Sequence, residues 1–327
     1  MLLLSKEDIK KVFSIHDAVD SVKEAFISFS GQLVQVPLRT AIQAPKGVFL
    51  IMPAYSQATG YASLKNVSIF PHNRELSLPT APGQVMLFDG NTGVAIAIMD
   101  GTYLTQLRTG AATGAAFDAL GRRDAKIGAL IGAGSQGAMQ LAAMLAVRDL
   151  DEARVCDLVY ERALELVSDI QAEYPSYRTK IRAVRCSDDA VENADLVVTV
   201  TSSLKPVFDG TKIKAGATIS CVGSYRPEMQ EMDPRILERC GKLIFDSREA
   251  VLSESGDILI PLDEGLITED DFTGDLGDVL LGKLPGRETD EEIIVFKTVG
   301  ISAQDLITAK NVFLKAGAAG IGTVWNP

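Results

Sequence analysis

The sequence predicts an α/β protein that combines a parallel-sheet part with a smaller α+β part. Three observations lead to this prediction. After about residue 125, short apolar runs alternate with helical segments, which is typical of βαβ units. Before that point, strand-like runs are paired across turn residues, which indicates hairpins. The length of 327 residues is sufficient for two domains of ordinary size.

The first 120 residues account for the α+β part. Ser14 can cap a helix that extends to about Ser30. Turn residues at 45–47 separate the runs LRTAIQA and VFLIMPA, and those at 90–93 separate QVMLFD and VAIAIMD. We therefore expect a small antiparallel sheet, followed by a helix over residues 102–120.

The parallel-sheet part follows from a series of short and strongly apolar runs. Such runs are typical of strands that are buried on both faces of a sheet. In chain order they are KIGALIG, ARVCD, IRAVR, ADLVVTVT, ATISCVG and KLIFD. Helical segments at 135–148 and 160–173 connect the first of them, and the tail after about residue 300 is again helical.

Composition excludes several classes of function. Hydrophobic residues make up 46% and charged residues 23%, the balance of an ordinary globular protein. The formal net charge of −11 disfavours nucleic acid and anionic membranes as partners. Four scattered cysteines and two histidines predict no metal site. The cysteine usage and the short apolar run at the N-terminus predict a cytoplasmic protein without a signal peptide or membrane span.

A glycine-rich loop predicts a nucleotide site. The segment IGAGSQG places Gly132, Gly134 and Gly137 in a G-x-G-x-x-G pattern between an apolar strand and a helix. The first glycine permits a tight turn, the second lets backbone amides approach a pyrophosphate, and the third lets the helix pack closely on the sheet. Ser135 and Gln136 of the same loop complete the predicted phosphate-binding set.

A carboxylate at the end of the next strand predicts the type of cofactor. Asp157 lies 157 − 137 = 20 residues after Gly137, the spacing of a residue that binds the ribose hydroxyls of NAD. Its charge would repel a 2′-phosphate, so NAD(H) is favoured over NADP(H). Arg154 and Arg162 lie nearby in the sequence, and they keep NADP(H) possible.

The chain resembles the ornithine cyclodeaminase/mu-crystallin family over nearly its whole length. The runs LTQLRTGAAT and EAVLSESGD are much more specific to this family than the glycine pattern is. The segments that carry the resemblance are MPAY at 52–55, SLKNVSIFPHN at 63–73, LFDGNTG at 87–93, MDGTYLTQLRTGAAT at 99–113, GAGSQG at 132–137, VGSYRPEMQEMD at 222–233, FDSREAVLSESGDI at 245–258 and VFKTVGISAQD at 295–305.

The resemblance implies a domain arrangement and a class of chemistry. A Rossmann dinucleotide-binding domain, residues 116–299, would be inserted into an α+β domain formed by residues 1–115 and 300–327. This second domain would bind the substrate and form a homodimer. Members of the family use a nicotinamide cofactor, act at the α-carbon of small amino or imino acids, and need no metal for that chemistry.

Three cations are the candidate substrate-binding residues. Arg39, Lys65 and Arg108 lie among apolar or small residues, where a cation without a partner is costly and an anionic ligand is a natural explanation. The resemblance assigns the same three positions to binding of the substrate carboxylate. We expect Lys65 and Arg108 to be catalytic as well.

Four further positions are candidate cofactor contacts. Lys297 and Gly300 lie in the family-like segment VFKTVG, where the glycine suggests a close approach of the backbone to the cofactor. Thr109 and Ser202 lie at the ends of predicted elements.

Two departures from the family pattern favour one reaction. Leu50 and Tyr225 occupy places where cyclodeaminases carry acids. A leucine cannot exchange protons, and a tyrosine is a poor base at neutral pH. The sequence therefore predicts an NAD(P)H-dependent reductase of cyclic ketimine carboxylates such as Δ1-pyrroline-2-carboxylate, which would give L-proline-type amino acids. Three alternatives remain: an ornithine cyclodeaminase that forms L-proline and ammonia, an alanine dehydrogenase, and a non-catalytic mu-crystallin-like binding protein.

Overall fold

The computed structural model describes residues 1–326, which form two compact units. The split unit comprises Met1–Arg108 and the described chain from Gly300 onward, and the inserted unit comprises Thr109–Val299. The sequence-based boundary after residue 115 lies in the same helix as the first of these divisions. Within the described range, no helix is long and apolar enough to cross a membrane.

The first 120 residues contain seven strands and three helices. In chain order these are β1 (Leu2–Leu4), α1 (Lys6–Val12), α2 (Ile15–Ser30), β2 (Val34–Gln35), β3 (Thr40–Ala44), β4 (Gly47–Ser56), β5 (Tyr61–Ile69), β6 (Gly83–Asp89), β7 (Ala95–Asp100) and α3 (Gly101–Leu120).

The following segment alternates strands and helices. Its elements are β8 (Ile127–Ile131), α4 (Gly137–Val147), β9 (Glu152–Cys156), α5 (Tyr160–Glu173), β10 (Lys180–Val184), α6 (Ser187–Val191), β11 (Leu196–Thr199), β12 (Thr218–Cys221), β13 (Cys240–Phe245), α7 (Arg248–Glu254), α8 (Gly256–Asp263), β14 (Phe272–Asp275), α9 (Leu276–Leu280) and β15 (Ile293–Lys297). The chain then continues into α10 (Ser302–Ala319) and β16 (Thr323–Val324).

The split unit is built on one eight-stranded sheet. Its order is β16-β1-β7-β6-β5-β4-β2, and β3 also pairs with β4. The two predicted hairpins, β3–β4 and β6–β7, are confirmed as antiparallel pairs. The sheet is larger than the sequence predicts, because β1 adds in parallel to β7 and β16 adds to β1. Strands of three and two residues are too short to show an alternating pattern.

Helices α2 and α10 cover this unit together. Ser14 caps α2 through a reciprocal capping box with Asp17, which confirms the predicted start of the helix. Helix α10 packs against α2 and against strands β4, β5 and β6. Lys310 Nζ pairs with Glu24 Oε1 at 2.6 Å, and this contact fixes the register of the two helices. Most side chains of α10 are therefore buried, including polar ones.

The inserted unit contains a second eight-stranded sheet, in which every pairing is parallel. The order β10-β9-β8-β11-β12-β15-β13-β14 confirms the predicted doubly wound α/β fold. Strands β14 and β15 were not predicted. The strand order reverses between β8 and β11, and a crevice for ligands forms at the carboxyl ends of strands at such a point.

One buried arginine closes the end of α3. The Arg148 side chain, 4% exposed, donates to the carbonyl oxygens of Phe117, Gly121 and Arg122 at 2.6, 3.0 and 2.9 Å. It also pairs with Asp118 Oδ1 at 3.1 Å. The carbonyls of Phe117 and Arg122 also accept from the amides of Gly121 and Ala125, so this guanidinium adds a second, charged donor to them and supplies one to Gly121 at the end of the helix.

We predict that Arg148→Ala lowers the free energy of unfolding by about 3 kcal/mol, because buried carbonyls lose their charged donor. Thermal unfolding followed by circular dichroism should show a lower midpoint by several degrees. Arg123→Ala is the matched control, because Arg123 pairs with the same Asp118 at 3.3 Å but its side chain is 81% exposed. Equal midpoints for the parent and both variants would contradict this role of Arg148.

Candidate active site

Lys65 projects from an apolar face of the sheet in the split unit. It lies opposite Met52 on β4 and opposite Val85 on β6, and residues opposite each other in antiparallel strands share a face. Its neighbours Leu64 and Asn66 are half-buried on the other face, while Lys65 is fully buried. Successive residues of β5 therefore alternate between the two faces, and Lys65 shares its face with the hydrocarbon side chains of Met52 and Val85.

Asp305 on α10 brings two of the predicted cations together. Its carboxylate, fully buried, lies 2.6 Å from Lys65 Nζ through Oδ2 and 3.0 Å from Arg108 Nε through Oδ1. Arg108 Nη1 donates to Gln304 Oε1 at 2.9 Å. The start of α10 thus orients the guanidinium of Arg108 and the ammonium of Lys65 toward the same region.

Arg39 joins this cluster through the backbone at Gly300. Arg39 Nη2 donates to the carbonyl oxygen of Gly300 at 2.9 Å. Gly300 has a φ of +81°, and a Cβ at this position would lie 2.5 Å from Arg108 Nη1. This glycine therefore makes room for the guanidinium of Arg108. The predicted contact of Gly300 with the cofactor stays a prediction beside this role.

The cluster carries an excess of positive charge. Burial is the main cause that lowers the pKa of Lys65 to about 7; the charges of Arg108 and Arg39 contribute to this lowering, and Asp305 opposes it. Two cations thus share one buried carboxylate, and Arg39 is close enough to act on the charge of Lys65. The arrangement favours an anionic ligand, and it includes an amine that changes its protonation state near neutral pH.

In the inserted unit, the glycine loop connects β8 to α4 as predicted. Gly132 has a φ of +112°, and a Cβ there would lie 2.6 Å from the carbonyl oxygen of Val200. Gly134 is exposed, and a Cβ there would meet no atom within 4 Å. Packing within the protein therefore requires the first glycine but not the second. The open space at Gly134 suits a pyrophosphate that approaches the backbone amides and the N-terminus of α4.

The remaining residues of the loop occupy the expected places. Gly137 begins α4, and a Cβ there would lie 2.7 Å from the carbonyl oxygen of Gly132, so the loop and the helix are in close contact. Ser135 is exposed and Gln136 is half-buried.

Asp157 lies immediately after β9 and supports the same loop. Its Oδ2 accepts from the amide of Ala133 at 2.8 Å, and its Oδ1 accepts from the amide of Val159 at 2.9 Å. Arg162 Nη1 is 3.9 Å from Oδ1. Arg154 is held by Glu152 at 3.0 Å and by neighbouring carbonyls, so its side chain is directed to other partners. The carboxylate is thus fixed beside the glycine loop, where it suits ribose hydroxyls.

The structure changes the interpretation of Lys297. Its Nζ is fully buried and pairs with Asp257 Oδ2 at 3.0 Å. The side chain is committed to this internal ion pair, so we do not keep it as a cofactor contact. Thr109, half-buried on α3, and Ser202, exposed after β11, remain candidates.

The two positions that distinguish the reactions carry no acid. Leu50 is 7% exposed and packs in an apolar cluster with Met52 and Val67. Leu50 lies opposite Val67 in the β4–β5 pair, on the face that carries Lys65. Tyr225 is half-buried in the segment after β12. The surroundings of Lys65 are therefore hydrocarbon on this side.

Sequence reasoning missed Gln304 and Asp305. Both lie in the segment VFKTVGISAQD, which carries the resemblance and the candidates Lys297 and Gly300. The available signal was electrostatic, because buried cations normally need a protein carboxylate as well as a ligand. Asp305, the acidic residue in the first turn of α10, and Gln304 beside it were the candidates for that partner.

Comparisons with known proteins identify the family of the chain. Residues 1–319 match the ornithine cyclodeaminase/mu-crystallin family. The chain is 35% identical over 326 residues to a Δ1-pyrroline-2-carboxylate reductase of Bacillus cereus (strain ZK / E33L), and the match covers 98% of both proteins.

Two solved structures are similar over nearly the whole chain. The structure of Thermococcus litoralis Δ1-pyrroline-2-carboxylate reductase in complex with NADH and L-proline has a TM-score of 0.94 at 37% identity, and covers 99% of this chain and 100% of that one. An archaeal alanine dehydrogenase dimer with bound NAD has a TM-score of 0.92 at 32% identity, and covers 100% and 99%. The chain belongs to the ornithine cyclodeaminase/mu-crystallin family.

Proposed function

We propose that this protein is a reductase that uses NADH to convert cyclic ketimine carboxylates, represented by Δ1-pyrroline-2-carboxylate, into L-amino acids such as L-proline. The observation that carries this proposal is the buried grouping of Lys65 and Arg108 around Asp305, with Arg39 held nearby at the carbonyl of Gly300. The same chain holds a glycine loop supported by Asp157 that suits a dinucleotide. The relatives named above support the substrate and the cofactor.

The three cations would bind the substrate carboxylate. Arg108 offers a planar fork that can grip a carboxylate with two parallel hydrogen bonds, while Lys65 acts as a compact charge. Binding of one anion would offset part of the excess positive charge in the cluster. Because the carboxylate is attached to the imine carbon, holding it also fixes that carbon in place, and orientation of this kind lowers the barrier.

The reaction needs a hydride at the imine carbon and a proton at the imine nitrogen. A bound reduced nicotinamide supplies the hydride. We assign the proton to Lys65 Nζ, because its pKa of about 7 lets the buried ammonium release a proton at neutral pH. The C=N π electrons become the new N–H bond, the product is a secondary amine, and neutral Lys65 then regains a proton from solvent.

The hydrocarbon surroundings of Lys65 favour reduction over cyclisation of ornithine. Cyclisation must deprotonate one amine and position a second, and it needs an acid or base for each task. Leu50 offers neither, since it packs with Met52 and Val67. A pre-formed ring with an apolar body suits the same surface.

The proposal is tested by two assays on the same preparation. One follows the absorbance of NADH with Δ1-pyrroline-2-carboxylate, and the other measures ammonia released from L-ornithine with NAD+. We expect consumption of NADH in the first assay and no ammonia in the second. Proline and ammonia from ornithine alone would restore the cyclodeaminase. Activity only with pyruvate and ammonia would indicate an alanine dehydrogenase. Tight binding of NADH without turnover of any imino acid would indicate a binding protein.

We predict that Arg108→Ala lowers kcat/KM for the imine at least about 100-fold, because the carboxylate loses a buried charge-assisted partner. The Kd for NADH should stay close to that of the parent, since the glycine loop belongs to the inserted unit. Arg123→Ala, which removes an exposed arginine, serves as the control. An unchanged kcat/KM in Arg108→Ala would contradict its assignment to the substrate carboxylate.

The pH dependence should identify Lys65. Since its free-enzyme pKa is about 7, kcat/KM should be constant below that pH and fall by about tenfold per unit above it, as the ammonium is lost. Lys65→Arg keeps its positive charge at all these pH values. The fall in kcat/KM above pH 7 should therefore disappear in this variant, although its maximal rate is lower. Any further change of kcat/KM with pH that the parent and Lys65→Arg have in common would come from titration of the substrate imine. Identical profiles would contradict the role of Lys65.

We infer that the protein is a homodimer formed through the split unit. Several large apolar side chains of this unit are exposed by 38 to 54%, namely Leu33, Leu38, Ile42 and Phe49. They cluster around the edge strand β3 and its partner β4, and exposed apolar edges of this kind normally meet another surface. Light scattering should give about twice the mass of one chain. A fully active monomer at low concentration would contradict the inference.

We further propose a cytoplasmic location, supported by the need of the proposed reaction for a supply of NADH. Fractionation of cells that produce the protein would test it, and recovery of the enzyme outside the cytoplasm would contradict it.

A further inference from the structure

Glu231 is a buried carboxylate that the proposed chemistry does not use. It lies between β12 and β13 and is fully inaccessible to solvent. Its Oε1 accepts from Thr199 Oγ1 and the Gly223 amide, both at 2.7 Å, and from the Val222 amide at 3.2 Å. Its Oε2 accepts from the amide and the hydroxyl of Thr201 at 2.7 and 2.9 Å. Five donors thus converge on one carboxylate.

These donors come from two neighbouring loops. Thr199 is the last residue of β11, and Thr201 lies two residues further along the chain. Val222 and Gly223 are the first two residues after β12. A Cβ at Gly223 would overlap Thr201 O and Glu231 Oε2, so only a glycine lets the two loops approach this closely. The loops are therefore packed directly around the carboxylate.

A second carboxylate anchors Glu231 to a third strand. Asp257 Oδ1 accepts from the amides of Glu231 and Met232 at 2.8 and 2.9 Å, and its Oδ2 pairs with Lys297 Nζ at 3.0 Å. Burial by itself would lower the pKa of Lys297, but the charges of Asp257 and Glu231 raise it. The lysine therefore keeps its positive charge at neutral pH. Lys297 ends β15, which lies beside β12. One buried network thus connects the carboxyl ends of β11, β12 and β15.

The position of this network in the sheet suggests its purpose. A doubly wound sheet binds a dinucleotide across its carboxyl ends, with one mononucleotide on each side of the point where strand order reverses. The glycine loop and Asp157 lie on the β8–β9 side, which suits the adenosine half. Strands β11, β12 and β15 form the other side. The nicotinamide half of the cofactor would therefore bind at their carboxyl ends.

We propose that Glu231 is a positioning residue that holds the loops after β11 and β12 in the conformation that accepts the nicotinamide half of the cofactor. It acts through the backbone of Thr201, Val222 and Gly223. The inference rests on the proposed use of NADH. It goes beyond that proposal because it assigns the shape of the nicotinamide side to one buried carboxylate.

The experiment compares two ligands by calorimetry. NADH contains the nicotinamide ring. ADP-ribose contains the adenine, both riboses and the pyrophosphate of the same cofactor, but it lacks that ring. Glu231→Gln replaces one acceptor oxygen with an NH2 group that faces N–H donors, so the loops must separate. We expect the Kd for NADH to rise at least about tenfold, which is a loss of one strong hydrogen bond or more. The Kd for ADP-ribose should stay within about twofold to threefold of the parent.

The chain offers a matched control at the opposite end of the sheet. Asp195 Oδ2 accepts from the amides of Lys126 and Ile127 at 2.8 and 2.9 Å, and Oδ1 pairs with Lys214 Nζ at 2.6 Å. It therefore joins chain segments at the amino ends of β8 and β11, as Glu231 joins the loops at the carboxyl ends of β11 and β12. Asp195→Asn should lower the unfolding temperature and leave the ratio of the two Kd values unchanged.

The outcomes separate this inference from the proposed function. Equal weakening of both ligands in Glu231→Gln, or no change in either, would overturn the positioning role. If the parent protein bound neither NADH nor ADP-ribose, that result would contradict the proposed NADH-dependent function itself. If Glu231→Gln does not fold, Thr201→Val removes a single hydroxyl donor to Oε2, and it should weaken NADH selectively by a smaller factor. Unchanged NADH binding in a folded Thr201→Val protein would then overturn the inference.

Discussion

The contact on which the substrate site depends is the buried carboxylate of Asp305 between Lys65 Nζ and Arg108 Nε, at 2.6 and 3.0 Å. Two cations would not remain together in an apolar environment without it, because each would lose its hydration without compensation. Asp305 offsets only part of their charge, and Arg39 adds more. The remaining positive charge favours an anion. Burial and the charge of Arg108 together lower the pKa of Lys65 to about 7. Substrate capture and proton transfer thus have a common electrostatic origin.

The two units supply different parts of the proposed chemistry. The split unit carries the three cations, and their geometry is set by α10 and by the strands β4, β5 and β6 that it covers. The inserted unit carries the glycine loop, Asp157 and the Glu231 network at the carboxyl ends of a parallel sheet. In both units the polar groups are held by buried hydrogen bonds or ion pairs, so their positions depend on packing and not on flexible surface loops. Reduction of an imine needs little more than such fixed positions.

Much of this organisation could be predicted from the sequence, and the exceptions have physical causes. The alternation around Lys65, the cap at Ser14 and the glycine loop are local patterns, so a short window of sequence contains them. Asp305 was missed because it lies on a helix 240 residues from Lys65 in the chain (305 − 65 = 240), and only the fold brings them together. Gly300 and Lys297 were assigned to the cofactor because they lie in a family-like segment. In the structure Gly300 makes room for Arg108 and Lys297 pairs with Asp257, and periodicity reveals neither relation.

The central claim is that the buried cations form a site for a carboxylate. It is tested most directly by calorimetric titration with two planar ligands of nearly the same shape, pyrrole-2-carboxylate and pyrrole-2-carboxamide, in the presence of NAD+. The account predicts that the carboxylate binds at least about 100-fold more tightly, because only the anion offsets the excess charge around Asp305. Equal affinity for the two ligands would contradict it.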